Sequence, residues 1–289
     1  MIYFKLKKAP ILPIFLILIS SLFTGCISQE ELGICEFPSD LEGYNLVWSD
    51  EFEGTEVDQS KWTFLIGDGC DISENLCGWG NNELQWYTDR KENAFISDGN
   101  LVIQARKETP QFNGKSYTSA RMVTKEKGDW QYARIDVRAK MPRGKGLWPA
   151  IWMLPTDEVY GGWPKSGEID IMEYLGDKTN EVLGTIHFGH DYWRFISGKY
   201  ELESGQFYQD FHVFSLQWKE SCIQFFVDGE QIGESLTPSS TLPTTWPFQE
   251  RFHMILNVAV GGNLPGNPDA STQFPQKMTV DYVRVYQEI

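Results

Sequence analysis

Three carboxylates, Glu168, Asp170 and Glu173, occur within six residues of a segment that is otherwise typical of a β-strand. Side chains of a strand alternate between the two faces of its sheet. Strict alternation would place Glu173 on the opposite face from the other two acids, among isoleucines, where a buried charge is costly. A β-bulge near Ile171 or Met172 adds one residue and returns Glu173 to their face. The sequence therefore predicts three acids in a row on one face of a strand.

Two carboxyl groups that meet in one cleft can hydrolyse a glycosidic bond. One attacks the anomeric carbon or activates water, and the other protonates the leaving oxygen. A separation of about 5–5.5 Å implies a covalent intermediate and retained stereochemistry. Glu168 and Glu173 would have to lean toward each other over Asp170 to reach that distance. Because three neighbouring carboxyl groups cannot all ionise easily, we expect Asp170 to share a proton with a neighbour.

Two other interpretations of the three acids are a divalent cation site and a solvated acidic edge. A cation site usually takes oxygen ligands from loops and from other elements of the fold. A solvated edge would not be bracketed by two isoleucines and a methionine. We therefore favour the catalytic interpretation.

The composition is that of one large β or α/β domain. The chain has 289 residues, of which 41% are hydrophobic and 14% aromatic, and it includes 11 Trp. Its net charge of −15 becomes −18 if Lys5, Lys7 and Lys8 are removed with the N-terminal segment. This acidity argues against nucleic acid and anionic lipid surfaces as partners and suits a neutral polysaccharide, although it also serves solubility alone.

Residues 1–25 have the features of a secretory signal peptide of the lipoprotein type. A basic start precedes the apolar run Ile11–Phe23, which is too short for a comfortable membrane span. Gly25 and Cys26 resemble the end of a lipobox, so we expect lipidation at Cys26 and anchoring to a bacterial outer membrane or cell surface. Phe23 departs from that motif, which leaves full secretion open. We expect residues 26–43 to form a tether and 44–289 the catalytic domain.

The four remaining cysteines suit disulfides, which an exported compartment permits. Cys70 and Cys77 lie in one loop rich in Gly, Asp and Asn, and they are the favoured pair. Cys35 would then pair with Cys222 and connect the N-terminal segment to a late strand. Sequence alone leaves all three connectivities of four cysteines open.

Strand signals run from Tyr44 to the C-terminus, without sustained helical periodicity or an internal repeat. The turn Val227–Glu230 contains Asp-Gly, which is typical of a two-residue hairpin. About a dozen short strands separated by turns indicate an all-β fold, an antiparallel β-sandwich of jelly-roll type with a concave substrate-binding face. The candidate strands are Tyr44–Trp48, Leu101–Arg106, Ala120–Lys125, Ala133–Lys140, Ala150–Leu154, Glu168–Tyr174, Leu183–Phe188, His212–Trp218, Ile223–Val227, His253–Val260 and Thr279–Tyr286.

Aromatic residues near the acids in sequence are candidate sugar platforms, because the C–H faces of pyranose rings stack on indoles. The spacing of Trp148 and Trp152 puts both on one strand face, whereas we assign Trp62 and Trp218 to the core. His187 is about equally suited to the core and to the site. The predicted substrate contacts are Trp148, Trp152, Trp163, Asn82, Glu83, Trp86, Arg121, His187, Trp193 and Asn257, with Trp79 and Tyr87 as further platforms.

A series of motifs along the chain resembles glycoside hydrolase family 16. Glu168–Glu173 is similar to the active-site motif of the subgroup that has the extra, bulge-forming residue. The segment Gly78–Thr88 most resembles laminarinases, the endo-β-1,3-glucanases of that family. The other matching segments are Trp48–Phe52, Ser119–Arg121, Leu147–Pro155 and Asp281–Tyr286.

The resemblance implies a retaining endo-hydrolase of β-1,3-glucosidic linkages in laminarin-type glucans, active as a monomer and without a cofactor for catalysis. By the same resemblance Glu168 is the nucleophile, Asp170 the assisting acid and Glu173 the general acid/base. The residues alone do not decide which glutamate has which role.

The resemblance also implies a structural calcium ion that joins the two ends of the domain. Its ligands would be the main chains of Glu51 and Gly99 and the side chain of Asp281. Oxygen ligands of this kind suit a hard cation. The alternative is that Asp281 is an ordinary polar residue of an edge strand.

Three alternatives to a β-1,3-glucanase stay open. The same fold and mechanism could act on mixed-linkage β-1,3/1,4-glucan or on an algal galactan such as agarose or carrageenan. A transglycosylase would pass the same intermediate to a sugar. A non-catalytic glycan-binding lipoprotein is disfavoured, because such proteins typically lose one or both glutamates.

Overall fold

The computed structural model describes Cys35 and residues 41–289. The predicted signal peptide, Cys26 and most of the tether 26–43 lie outside the described residues. Within the described part of the chain, no helix is both long and apolar enough to cross a membrane.

Strands that pack as two sheets make up about half of the described chain. The first nine are β1 (Tyr44–Asp50), β2 (Thr63–Phe64), β3 (Gln85–Tyr87), β4 (Ala94–Ser97), β5 (Asn100–Phe112), β6 (Lys115–Ser119), β7 (Arg121–Val123), β8 (Asp129–Trp130) and β9 (Ala133–Lys140). The others are β10 (Leu147–Pro155), β11 (Glu168–Glu173), β12 (Glu181–Phe188), β13 (Arg194–Glu201), β14 (His212–Lys219), β15 (Cys222–Val227), β16 (Glu230–Leu236), β17 (Phe252–Val260) and β18 (Gln276–Glu288). Two short 3-10 helices are described, Glu74–Gly80 and Pro238–Thr241.

The two sheets form the predicted all-β sandwich. A ten-stranded sheet has the order β16-β15-β14-β9-β18-β5-β6-β3, with β1 and β4 paired to its members. An eight-stranded sheet has the order β13-β12-β11-β10-β17-β7-β2, with β8 paired to β17. The pairs are antiparallel except β3 with β6, which are parallel. Because β10, β11, β12 and β17 are neighbours in the second sheet, that sheet carries the candidate site.

The core lies between the two sheets, where alternating side chains of each sheet meet. In β9 the apolar Ala133, Ile135 and Val137 are buried, whereas Arg134 and Arg138 of the other face are partly exposed. Trp62 and Trp218 are fully buried at 0% and 1% exposure, which confirms their assignment to the core. The turn at Asp228 and Gly229 joins β15 to β16, and both residues have positive φ, as the predicted hairpin turn requires.

Two disulfides select one of the three connectivities that the sequence allowed. Cys70 pairs with Cys77, within the loop that leads to β3. Cys35 pairs with Cys222 at the start of β15, and Gln224 donates a hydrogen bond to the Cys35 carbonyl. The second disulfide therefore fixes Cys35 to the ten-stranded sheet.

Candidate active site

The strand β11 contains the bulge that its sequence predicts. Asp170 pairs with Trp152 of β10 and Thr185 of β12, whereas Glu173 pairs with Ala150 and Leu183 of the same two strands. Three positions on β11 thus span two positions on each neighbour. One extra residue re-phases the strand, so the side chain of Glu173 shares a face with Asp170 while Ile169, Ile171 and Met172 are fully buried.

Glu173 lies on the floor of the site and is held through both of its carboxylate oxygens. Its Oε1 accepts a hydrogen bond from the Trp148 indole at 3.2 Å, and its Oε2 accepts one from the Thr185 hydroxyl at 3.3 Å. The residue is only 9% exposed, and burial raises its pKa. A buried carboxyl that holds its proton is suited to act as a general acid.

Glu168, at the start of β11, is only half-buried and accepts a hydrogen bond from the indole of Trp163. Burial, followed by the charge of Asp170, raises the pKa of Glu168 to about 8. Each of the two glutamates is therefore oriented by a tryptophan N–H, Glu168 by Trp163 and Glu173 by Trp148.

Asp170 lies between the two glutamates and is 3% exposed. Burial and the charge of Glu173 hold the pKa of Asp170 well above its usual range, and the carboxyls of Asp170 and Glu168 are hydrogen-bonded to each other. Like charges this close cannot all ionise, so the three acids retain shared protons near neutral pH.

His187 belongs to the site rather than to the core. Its Nε2 lies 3.0 Å from Asp170 Oδ2, although the angle is not that of a hydrogen bond, and its Nδ1 accepts a hydrogen bond from the Trp193 indole at 2.9 Å. Because Nδ1 is an acceptor, the proton of the neutral ring is on Nε2, which faces Asp170.

Four tryptophans carry the aromatic surface around the three acids. Trp148 and Trp152 are partly exposed on the same face of β10, as their spacing predicts. Trp163 and Trp193 are 53% and 56% exposed, with ring centroids 5.9 Å apart. These rings therefore present faces that a pyranose could stack on. Trp86, also predicted to contact substrate, is partly exposed on β3.

Arg121 is held between two tryptophans at the floor of the site. Its guanidinium carbon lies 4.2 Å from the Trp79 ring centroid and 4.7 Å from that of Trp152. The residue is 7% exposed, and its Nε has no hydrogen-bond partner among the described residues. Asn257, its neighbour in register on β17, accepts from Trp152 at 2.7 Å and donates to the Tyr87 hydroxyl at 3.0 Å.

Three residues that the sequence predicted to contact sugar are buried instead. Tyr87 is completely buried and Trp79 is 9% exposed, so neither ring is a platform. Glu83 is 7% exposed, and its carboxylate accepts hydrogen bonds from Gln85 at 2.6 Å and from the Tyr87 hydroxyl at 3.2 Å. Glu83, Gln85 and Tyr87 form a hydrogen-bonded polar layer beneath the site. Asn82 is exposed and donates to Asn263 at 2.8 Å.

Sequence reasoning missed Thr185, which binds both Glu173 and Ser197 through its hydroxyl. Thr185 is two residues before His187 on β12, so both lie on the same face. Strand alternation could have identified it once His187 was placed in the site.

Glu168, Asp170 and His187 are also the one group within the described residues whose side-chain geometry could hold a metal ion, with ligand atoms within 4.8 Å of one another. These groups already contact each other and two indoles, and three neighbouring carboxyls with raised pKa values suit proton sharing better than metal binding.

Comparison with known proteins identifies the family. "Glucan endo-1,3-beta-glucosidase A1" of Niallia circulans is 43% identical over 90% of this chain, which spans only 40% of the length of that relative. "Beta-glucanase" of Rhodothermus marinus is 42% identical, over 84% of this chain and 85% of the relative. The solved laminarinase catalytic domain of Thermotoga maritima superimposes with a TM-score of 0.77 at 45% identity, over 85% of this chain and 99% of that domain. Since the model of glycosyl hydrolases family 16 matches residues 79–284, this chain belongs to that family.

Proposed function

We propose that the protein is a retaining endo-hydrolase of β-1,3-glucosidic linkages in laminarin-type glucans. The observation that carries the proposal is the placement of Glu168, Asp170 and Glu173 on one face of a bulged strand, beside exposed tryptophans. The Niallia circulans relative and the Thermotoga maritima domain bear the names of an endo-1,3-β-glucosidase and a laminarinase. Both glutamates are present, which favours an enzyme over a glycan-binding protein.

In the first step Glu168 attacks the anomeric carbon, and the bond from that carbon to the leaving oxygen breaks. Glu173 donates its proton to the leaving oxygen, so an alcohol departs and a glycosyl ester of Glu168 forms. In the second step Glu173 takes a proton from water, which attacks the same carbon and releases Glu168. Two inversions give net retention. Asp170 shares a proton with a neighbouring carboxyl group, which helps to keep the general acid protonated.

A substrate panel tests the proposal. We expect release of reducing ends from laminarin and curdlan, weaker activity on lichenan, and none on agarose or carrageenan, with oligosaccharide products of several lengths from the start. Proton NMR should show the β-anomer of the product first, because retention preserves configuration. An initial α-anomer would contradict the mechanism. Cleavage of a galactan alone, or transfer to sugar in place of hydrolysis, would identify one of the alternatives.

We also propose a structural calcium held by Glu51, Gly99 and Asp281. The register supports it: β1 pairs with β18 up to Val283 and β5 pairs with β18 from Val280, so Asp281 lies at the gap between β1 and β5. Glu51 follows β1, and Gly99 precedes β5, at that same gap. The Asp281 carboxylate accepts a hydrogen bond from Arg138 at 2.5 Å, so an ion would share this carboxylate with the guanidinium.

Removal of calcium by a chelator should lower the midpoint of thermal unfolding by about 5 °C or more, and added calcium should restore it. The size follows from a ligand present at about 100 times its Kd, which stabilises the folded state by about 2.7 kcal/mol. The Asp281→Asn variant should show no response to the chelator. If the wild type shows none either, there is no calcium site here.

We further propose that the protein is exported and carries a lipid on Cys26, on the basis of the signal features of residues 1–25. The exported protein is proposed to be a monomer. Cells expressing the full chain should incorporate labelled fatty acid into the wild type but not into a Cys26→Ser variant. Unlabelled protein in the medium would instead indicate ordinary cleavage and secretion.

A further inference from the structure

The disulfide between Cys35 and Cys222 lies on the outer face of the ten-stranded sheet. In β15 the side chains of Ile223 and Phe225 belong to the core between the sheets. Because strand residues alternate between the two faces of a sheet, Cys222 and Gln224 point outward. Cys35 contacts both of them, through the disulfide to Cys222 and through its carbonyl, which accepts a hydrogen bond from Gln224. The chain is therefore fixed at Cys35 to the outside of the sandwich.

The catalytic acids lie on the opposite outer face of the sandwich. Asp170 and Glu173 belong to the eight-stranded sheet, and Ile169 and Ile171 of the same strand belong to the core. Two packed sheets lie about 10 Å apart, and their outer faces point in opposite directions. We call the outer face of the ten-stranded sheet, to which Cys35 is fixed, the back face of the protein.

The back face beside Cys35 has a row of residues without a carboxylate. The register places four residues of neighbouring strands in this row: Gln224, Gln217, Arg134 and Tyr286. The formal charge of the whole chain is −15. Anionic headgroups repel carboxylates, so this row can approach a membrane at a lower electrostatic cost than the cleft, which holds three acids.

The path from a lipid on Cys26 to the back face is short. Cys35 is nine residues after Cys26, and nine residues span at most about 32 Å in any conformation. A compact unit formed by residues 41–289 has a radius of gyration of about 18 Å and is therefore about 46 Å wide. Because the path is shorter than this width, the cleft cannot face the membrane while the disulfide is intact.

We propose that the back face lies against a phospholipid membrane and that the Cys35–Cys222 disulfide holds the cleft on the side away from it. This inference rests on the lipid at Cys26 proposed above. The acyl chain supplies the binding free energy, and the point of attachment determines which face is turned to the membrane. Without the disulfide the path would run to Tyr44 of β1, 18 residues after Cys26, and could span up to about 65 Å.

Energy transfer on vesicles tests this orientation. The lipidated full chain is given a donor dye on a ketone-bearing amino acid, either at Ser221 beside the disulfide or at Tyr192 beside the cleft, both of which are exposed. It is bound to vesicles of phosphatidylethanolamine and phosphatidylglycerol that contain an acceptor lipid. Transfer should be at least about threefold more efficient from Ser221 than from Tyr192, because the domain is about 46 Å wide. Equal transfer from both dyes, or more from Tyr192, would overturn the proposal.

A longer tether should release the orientation without any change in the folded domain. With about 40 Gly and Ser residues inserted after Gly33, the ratio of the two efficiencies should fall below about 1.5, because a flexible path of this length lets the domain turn over. The matched control carries the same residues after Ile289, which leaves the tether short, and should keep the ratio of the wild type. An unchanged ratio in the insertion variant would overturn the proposal, since another contact of the back face, such as a second copy of the chain, would then orient the protein.

The disulfide itself is tested by a Cys35→Ser/Cys222→Ser variant. Its path is longer than that of the wild type but shorter than that of the insertion variant, so its ratio should be intermediate. Cys70→Ser/Cys77→Ser removes the other disulfide and should keep the ratio of the wild type. An unchanged ratio in the first variant would show that the disulfide has no part in the orientation.

Failure of the lipid proposal gives a different result. The protein would then incorporate no labelled fatty acid, would stay in solution when the vesicles are sedimented, and would show no transfer from either dye. The orientation would fall with it, whereas cleavage of laminarin would be unaffected.

Discussion

Substitution of Glu168 by Gln should lower kcat/KM for laminarin by a factor of about 10⁴ or more, because the amide cannot form the glycosyl ester. The amide keeps the shape of the side chain and can still meet the indole of Trp163. Binding of laminarin should therefore remain within a few-fold of wild type, as measured by calorimetry. Full activity of the variant would reject the assignment of Glu168.

Azide can decide which glutamate has which role. In a Glu168→Ala variant, azide should attack an aryl β-glycoside directly and give the α-glycosyl azide, because the single displacement inverts the anomeric carbon. In a Glu173→Ala variant the ester still forms with a good leaving group, and azide should open it to the β-glycosyl azide. The reverse pair of products would exchange the two roles. NMR of the products distinguishes the anomers.

The Glu168→Gln variant should also be more stable than wild type, which separates loss of chemistry from loss of fold. The pKa of Glu168 is raised to about 8 in the folded protein, from 4.5. The folded state thus binds more protons than the unfolded state between these values, and stability falls as pH rises through this range. Gln does not titrate, so the advantage of the variant should grow from pH 5 to pH 8, to about 4 kcal/mol. Thermal unfolding at several pH values measures it.

The common face of the three acids could be predicted from the sequence, because the conflict between Glu173 and strand alternation lies within one strand. A charge at Glu173 could not be buried among Ile169 and Ile171, so one inserted residue was the simplest resolution. The hydrogen bond from Trp148 to Glu173 could not be derived in the same way. It joins adjacent strands whose register is itself shifted by the bulge.

The errors have local physical causes. In β3 the buried Gln85 and Tyr87 alternate with the partly exposed Trp86, and Glu83 lies in a bridge with Gly261 that buries its side chain. The sequence of this segment does not show which of its two faces is turned inward. The edge strand β13 was not predicted at all, because its residues are mostly exposed or half-exposed and lack the apolar alternation of a core strand.

Substitution of Asp170 by Asn should lower kcat/KM at the optimum by a factor of about 10²–10³ and should move the pH profile toward acid. The loss is of the size expected when a group that assists acid–base chemistry is removed. Asp170 is a cause of the raised pKa of Glu168, and its own pKa is raised by Glu173, so the charges of the three acids oppose one another. Without the Asp170 charge, Glu168 should ionise at a lower pH, and Glu173 should lose its proton at a lower pH.

Both limbs of the bell-shaped profile of kcat/KM against pH should therefore shift in the same direction, since Glu168 sets the acidic limb and Glu173 the basic limb. Asp136→Asn is the matched control: Asp136 is likewise buried, at 8% exposure, but lies on β9 and pairs with Arg134. It should leave both limbs in place. A lower rate for Asp170→Asn with unmoved limbs would mean that Asp170 only packs between the glutamates. Shared protons, which the geometry of the bulge imposes on the three carboxyls, would then have no part in setting the working pH.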